Sequence, residues 1–169
     1  MKKLFMITLG GKAEGANIEV HDVQFIIAKN IEETENILRN HWYGIPLKLH
    51  IDSYKSLEVI DGYKISINDE VSQDANKLFF LHIGAYKRTL MEEIHRYGFL
   101  VRNTFEQAKN DAKNTLYGKD KEEHVDTCVN VMESPLLNAL YTGFIHLEKT
   151  ELKTNLFPDW QGYRRIDIL

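Results

Sequence analysis

The sequence repeats itself at an offset of 74 residues, and this repeat constrains the fold more than any other feature. The run LFMITLGG from Leu4 corresponds to LFFLHIGA from Leu78, and EVHDVQF corresponds to EIHRYGF at the same offset. Comparison of residues 4–52 with 78–126 gives 13 identities in 49 pairs without a gap. Chance gives about three at ordinary amino-acid usage. The chain is therefore predicted to be a tandem duplication.

Each repeat is predicted to contain two strands, a helix and two further strands. Helical spacing of apolar residues begins after Asn30 and after Thr104, and each of these stands three positions before Glu or Gln, as in a capping box. Asp61-Gly62 between two strand-like runs indicates a type I′ hairpin. The predicted fold class is α+β, a tandem duplication of a ββαββ unit with pseudo-twofold symmetry. Each unit is predicted to form a mainly antiparallel sheet with one packed helix.

The two predicted units occupy residues 1–68 and 77–149, and the polar run DEVSQDANK separates them. Seven residues are inserted late in the second unit, where a Ser-Pro pair predicts a short helix near 135–141. Units of about 70 residues bury too little surface alone, so we expect them to pack as one compact globule. Residues 150–169 form an aromatic tail. Docking of the tail across the body is predicted, and a partner or dimer contact is the alternative.

Four glycines are predicted to adopt positive φ at the ends of elements. Gly10 and Gly84 end the first strand of each repeat, where a turn is expected. Gly44 and Gly118 follow the predicted helices, at the position that a left-handed helix cap requires. A backbone conformation with positive φ is thus the predicted reason that glycine occupies all four positions.

Composition excludes several classes of function. The formal net charge is −4 and acidic and basic residues are interleaved, whereas nucleic-acid binding needs a clustered basic face. Cys128 is the single cysteine, so neither a disulfide nor a cysteine-rich zinc site is predicted. The apolar run at the N-terminus is shorter than a signal-peptide core, and no stretch has the length of a membrane span. We expect a cytoplasmic protein that binds neither nucleic acid nor membrane; a homo-oligomer is left open.

The candidate site residues are one glutamate, two histidines and one aspartate on the predicted strands of each repeat. They form Glu-x-His and His-x-Asp pairs, and the members of each pair lie at i and i+2, on one face of a strand. If the two strands of a repeat are neighbours, the two pairs converge. The residues are Glu19, His21, His50 and Asp52 in the first repeat, and Glu93, His95, His124 and Asp126 in the second.

Three interpretations of these residues are open. Retention in both repeats favours a structural brace, because a catalytic site needs one copy while a buried hydrogen-bonded pair must persist in both. A binding site for a ligand or partner is the second interpretation. A metal or catalytic site is the third, because this set of N and O donors suits zinc, manganese or iron(II). The sequence requires no cofactor, and a divalent metal is the one that these residues allow.

The other reactive residues are predicted to be structural. Cys128 lies on a predicted strand and is interpreted as a small buried hydrophobic residue. His41, His82 and His146 have no histidine counterpart in the other repeat, so surface or core-margin positions are predicted for them. No Gly-x-Ser-x-Gly nucleophile motif is present.

The run LGGKAEGANIEVHDVQFIIA, followed by WYG and LHIDSYKSLEVIDGYKI, resembles a bacterial family catalogued as domain of unknown function 1543. The resemblance covers residues 2–149 and implies a protein with one or two copies of the unit. It implies no reaction. The second copy departs from the pattern at Arg96, which replaces Asp22, so any role for that aspartate would exist in the first unit alone.

The function predicted from the sequence is that of a small cytoplasmic binding or interaction protein. The alternative is a metal-dependent hydrolase that uses the Glu-x-His and His-x-Asp residues. Whether the chain is an enzyme is left open by the sequence.

Overall fold

The computed structural model describes residues 1–115, 123–140 and 143–167. Within these residues the chain is an α+β protein whose strand pairs are antiparallel. No helix in this part of the chain is long and apolar enough to cross a membrane. The strands are β1 (Lys3–Lys12), β2 (Val20–Ala28), β3 (Ile45–Leu57), β4 (Val59–Ile60), β5 (Tyr63–Asn68), β6 (Lys77–Ala85), β7 (Ile94–Arg102), β8 (Glu123–Asn130), β9 (Phe144–Lys149) and β10 (Trp160–Arg165). The α-helices are α1 (Glu32–His41), α2 (Phe105–Thr115) and α3 (Pro135–Leu140), and a 3₁₀ turn spans Val131–Glu133.

The strands form three sheets. The first sheet has the order β10-β3-β1-β2, the second β7-β6-β8, and a small third sheet β4-β5-β9. Strands β1 and β6 are therefore central. The two strands that carry the candidate residues flank a central strand in each case, and so are not direct neighbours. Because of this order, the candidate side chains of the two flanking strands must meet across the central strand.

Alternation along β1 divides its side chains between two cores. Leu4 and Met6 point into the core between the first two sheets, while Phe5 and Ile7 point to the other face, where α1 packs. Helix α2 packs in the same way on the second sheet through Ala112. The core into which Leu4 and Met6 point lies between the first two sheets, and we call it the inter-sheet core. It contains Leu4, Met6, Phe25, Ile27, Leu57, Ile60, Ile65, Leu78, Phe80, Phe99, Val101, Val131, Ile145 and Leu147.

The helix starts confirm the predicted capping residues. The backbone N–H of Glu33 donates to Asn30 Oδ1 at 3.0 Å. The backbone N–H of Gln107 donates to Thr104 Oγ1 at 3.2 Å. These bonds satisfy amides that have no partner within a first helical turn.

The predicted Asp61-Gly62 hairpin is also present. Both residues have positive φ, 51° and 75°, as a type I′ turn requires. Strand β5 belongs to the third sheet, where it pairs with β9, with Tyr63 opposite Lys149 at one end of the pairing. The last strands of the two predicted units thus pair with each other.

The prediction of a left-handed cap at Gly44 is wrong. Among the described glycines, positive φ occurs at Gly15, Gly62 and Gly143. A Cβ on Gly44 would instead collide with the backbone oxygen of Lys12. Gly44 is therefore explained by close approach of two chain segments. Gly118, the other predicted cap, lies outside the described residues.

The aromatic tail docks on the first sheet as strand β10, which pairs with β3. Its Trp160 ring stacks on Tyr54 with centroids 6.1 Å apart. Ile166 is fully buried, and its backbone N–H donates to Leu49 O at 2.9 Å. The tail thereby covers the edge of the first sheet and brings Tyr163 to the site described next.

Candidate functional site

A glycine in the central strand allows the candidate side chains of the first unit to converge. Gly10 of β1 lies opposite His21 of β2 and opposite His50 of β3. A Cβ on Gly10 would lie 2.5 Å from His50 Nε2 and 3.0 Å from Glu19 Oε1. The predicted turn role for Gly10 is wrong, because β1 continues to Lys12. The missing side chain leaves the space in which the flanking residues meet.

Gly84 has the same position in the second unit. It lies opposite His95 of β7 and His124 of β8. A Cβ there would collide with Glu93 Oε1 and would lie 2.6 Å from Asp126 Oδ2. The turn prediction is wrong here too, because Gly84 lies inside β6.

A β-bulge directs each aspartate toward its glycine. Strand β1 pairs with Ser53 and then with Ile51, so Asp52 is the extra residue of β3. Strand β8 has the same irregularity at Asp126. A bulge changes the direction in which a side chain points and is frequent beside active sites. Each carboxylate is thereby turned toward the histidines.

We call Glu19, His21, His50 and Asp52 the first cluster. His21 Nε2 lies 3.3 Å from Glu19 Oε1 and 3.7 Å from Asp52 Oδ2. His50 Nε2 lies 3.5 Å from Glu19 Oε1 and 3.1 Å from Asp52 Oδ1. These distances exceed the 2.7–2.9 Å, roughly, of a charge-assisted N–H···O bond. They are close to the separation of about 3.4 Å between neighbouring donor atoms around an ion with bonds of about 2.1 Å, although no three of these four residues bring donor atoms within 4.8 Å of one another.

His50 is the anchored member of the first cluster. It is 1% exposed, and its Nδ1 lies 2.7 Å from the backbone oxygen of Lys48. Because a carbonyl oxygen only accepts, Nδ1 carries the proton and Nε2 faces the carboxylates. Lys48 has a φ of 65°, an uncommon conformation for a residue with a side chain. A metal-binding histidine typically donates its second ring N–H to such a carbonyl.

We call Glu93, His95, His124 and Asp126 the second cluster. His124 Nε2 lies 3.1 Å from Glu93 Oε1 and 2.8 Å from Asp126 Oδ1. His95 lies farther out, with Nε2 3.8 Å from Glu93 Oε2 and Nδ1 3.7 Å from Asp126 Oδ2. The Tyr86 ring stacks on His124 at 5.5 Å, as the Tyr163 ring packs on His50 at 4.0 Å in the first cluster. Each cluster thus has an aromatic cover on one histidine.

His82 also lies at the second cluster, and we include it in that cluster from here on; the sequence predicted a surface or core-margin position for it and no role in the site. Its Nδ1 lies 3.7 Å from Asp126 Oδ2, and its ring lies 4.5 Å from the His95 ring. The signal was present in the sequence: His82 is two positions before Gly84 and so shares its strand face. The internal repeat does not reveal it, because Thr8 occupies the corresponding position in the first repeat.

Burial and neighbouring charges shift several pKa values at the site. Burial raises the pKa of Asp52 above its ordinary value, and the charge of Glu19 adds to this effect. Burial lowers the pKa of His82, and the neighbouring His95 lowers it further. The pKa of Tyr97 is raised first by burial and then by the carboxylates of Asp22 and Asp52. Tyr97 of the second sheet and Asp22 of the first line the same cleft.

Both clusters border one cleft between the first two sheets. The cleft has a volume of about 560 Å³, and His21 of the first cluster and His82 and His95 of the second line it. Asp22 and Tyr97 contribute further polar groups. A volume of this size accommodates a small molecule.

Cys128 is half-buried on β8 and packs against the apolar cluster beneath α2. Burial raises the pKa of its thiol. A thiol with a raised pKa is a poor nucleophile because the thiolate is the reactive form. His41 is exposed on α1, and the His146 Nε2 atom lies 2.7 Å from the backbone oxygen of Glu70.

Replacing Gly84 by Ala is expected to destabilise the protein by about 1–3 kcal/mol, since an added methyl group in a filled space forces its neighbours to shift. Gly10→Ala is expected to act similarly. Thermal unfolding of the two variants checks this. Unchanged stability in both would contradict the role of the glycines.

Comparison with known proteins gives a match to a family model over part of the chain and a solved structure of similar fold. A profile of the family described as Domain of Unknown Function (DUF1543) matches residues 16–67, which include the whole first cluster. The chain is also similar to a solved structure, the crystal structure of a protein Il1583 from Idiomarina loihiensis. The two are 28% identical with a TM-score of 0.75, and the match covers 98% of this chain and 99% of that chain. No curated protein matches the chain. The chain thus resembles a domain of unknown function, and its α+β fold occurs in a known structure.

Proposed function

We propose that this chain is a small binding protein in which each Glu/His/His/Asp cluster holds a divalent metal ion. The observation that carries the proposal is the convergence of these donors over Gly10 and over Gly84. Each cluster joins side chains from two strands across a third, and each uses a glycine and a bulge to do so.

The donors suit a first-row divalent ion. Imidazole nitrogens and carboxylate oxygens bind zinc, manganese and iron(II). Two carboxylates supply two negative charges, which balance a divalent cation. His50 presents Nε2 to the cluster because Lys48 fixes its other nitrogen. A bound ion would supply Lewis acidity at the edge of the cleft.

Exposure argues against bracing as the main role of His21 and Glu19. The side chains of His21 and Glu19 are 58% and 43% exposed. Ion pairs at such positions contribute about 0–1 kcal/mol. Bracing does not explain why two histidines and two carboxylates lie together with N–O distances of 3.1 to 3.7 Å in the first cluster.

We further propose that the two units, 1–68 and 77–149, arose by duplication. The order β1-β2-α1-β3 corresponds to β6-β7-α2-β8, and the bulge at Asp52 corresponds to that at Asp126. The pairing of β5 with β9 also fits a pseudo-twofold axis between the units, because their last strands lie antiparallel. The 3₁₀ turn and α3 occupy the insertion of the second unit.

A metal-dependent hydrolase is the second candidate. The cleft favours it, because both clusters reach a shared cavity that is large enough for a substrate. A metal ion there would polarise a carbonyl or phosphoryl oxygen or activate water. Tyr97 is placed to contact the bound molecule.

Calorimetric titration of metal-free protein with Zn²⁺ and with Mn²⁺ tests the proposal. Wild type is expected to bind at both clusters, Asp52→Asn to lose the first site and Asp126→Asn to lose the second, because each change removes a ligand charge. Glu58→Gln, an exposed carboxylate outside the clusters, is the matched control and should bind as wild type does. Equal weak binding by all four proteins would overturn the proposal.

A further inference from the structure

The two oxygens of Asp126 face different histidines. Oδ1 lies 2.8 Å from His124 Nε2. Oδ2 lies 3.7 Å from His82 Nδ1 and 3.7 Å from His95 Nδ1. The carboxylate therefore lies between His124 on one side and His82 and His95 on the other.

Each oxygen of Asp126 completes a set of three donors. One set contains Glu93, His124 and Asp126, and the other contains His82, His95 and Asp126; within each set the donor atoms lie within 4.8 Å of one another. Three protein ligands with open positions are the number found in many catalytic metal sites. The second cluster thus offers two such sets joined by one carboxylate.

Glu93 supports the same arrangement. Its Oε1 faces His124 at 3.1 Å and its Oε2 faces His95 at 3.8 Å, so it too lies between the groups. Oε1 is buried, and its contact with His124 Nε2 lacks the geometry of a hydrogen bond. A buried oxygen without a hydrogen bond costs stability unless another partner, such as a cation, satisfies it.

We propose that the second cluster holds two divalent ions bridged by Asp126. One ion is held by Glu93, His124 and Asp126 Oδ1, and the other by His82, His95 and Asp126 Oδ2. This inference rests on the proposed function and specifies it. Paired ions about 3.5–4 Å apart are a recurring arrangement in phosphatases, nucleases and aminopeptidases.

The first cluster lacks the residue that would complete a second set. Thr8 occupies the position of His82, and its Oγ1 lies 2.7 Å from Ser53 Oγ. The first cluster therefore has no third imidazole corresponding to that of His82. The first cluster is therefore assigned one ion, and the two units differ in metal stoichiometry.

Cobalt binding to a variant without the first site tests the inference. Glu19→Gln/Asp52→Asn removes both carboxylates of the first cluster and is the background. After equilibrium dialysis against Co²⁺, this background is expected to hold two ions per chain, with an EPR signal diminished by coupling between them. Addition of His82→Ala should leave one ion and an uncoupled signal. His82→Gln, which keeps more of the side-chain volume, should give the same loss.

The outcomes separate the two proposals. One ion per chain in the background, unchanged by both His82 variants, overturns the paired site and leaves metal binding intact. Absence of Co²⁺ from wild type overturns metal binding itself and the paired site with it. Circular dichroism of each variant establishes that it is folded, and the glutamine variant decides the result if the alanine variant unfolds.

Discussion

Saturating divalent metal is expected to raise the melting temperature of the metal-free wild type by about 8–16 °C. A ligand that binds the folded state stabilises it by about 4.1 kcal/mol at a concentration of 1,000 times Kd. In a chain of this size each kcal/mol shifts the melting temperature by about 2–4 °C. The estimate counts one site, so occupation of further sites adds to it.

Differential scanning calorimetry at several metal concentrations measures this shift. The shift should grow with the logarithm of metal concentration above Kd, and Mg²⁺ serves as the comparison because it prefers all-oxygen sites. A melting temperature that stays constant as Zn²⁺ and Mn²⁺ increase would contradict metal binding.

His50→Ala is expected to destabilise even the metal-free protein, by about 2–4 kcal/mol. The side chain is 1% exposed, so its removal leaves a cavity. The change also deprives the Lys48 oxygen of its part-buried hydrogen bond at 2.7 Å, and the loss of this bond adds to the cost. The metal response of the first cluster should disappear with it.

His41→Ala is the matched control for His50→Ala. His41 is exposed on α1 and lies outside both clusters, so stability should change by less than about 0.5 kcal/mol. Urea unfolding of both variants without metal makes the comparison. Wild-type stability for His50→Ala would show that the Lys48 contact and the buried ring contribute little.

Local sequence signals predicted the parts of the fold that depend on neighbouring residues. Asn30 and Thr104 cap helices because a side-chain oxygen reaches an amide three residues away. Asp61-Gly62 forms its turn because both residues tolerate positive φ. The internal repeat identified the eight candidate residues, because aligning its two copies pairs residues that are 74 positions apart in the sequence.

Pairing between strands could not be predicted in the same way. The order β3-β1-β2 is set by long-range packing, so the sequence did not show that Gly10 lies between His21 and His50. From the sequence alone, a turn is consequently the predicted role of Gly10. The bulge at Asp52 is likewise a property of the pairing with β1, which a single strand does not reveal.

His82 shows the limit of using internal repeats to find a site. A comparison of the two repeats finds the residues that they share, while the position of His82 has Thr8 in the first repeat. Its strand face, shared with Gly84, is the feature that connects it to the cluster. Differences between the units therefore hold as much information about the site as the identities.

The most direct test of metal binding compares melting temperatures of wild type and His21→Ala/His95→Ala, each with metal and with chelator. The two replaced histidines are largely exposed. If the clusters bind metal, the two proteins should melt within a few degrees of each other in chelator, and metal should stabilise wild type far more than the double variant. If the histidines are structural braces, wild type should ignore the chelator, and the variant should be less stable by about 1–3 kcal/mol per replaced histidine in both conditions. The second result would contradict the proposed function.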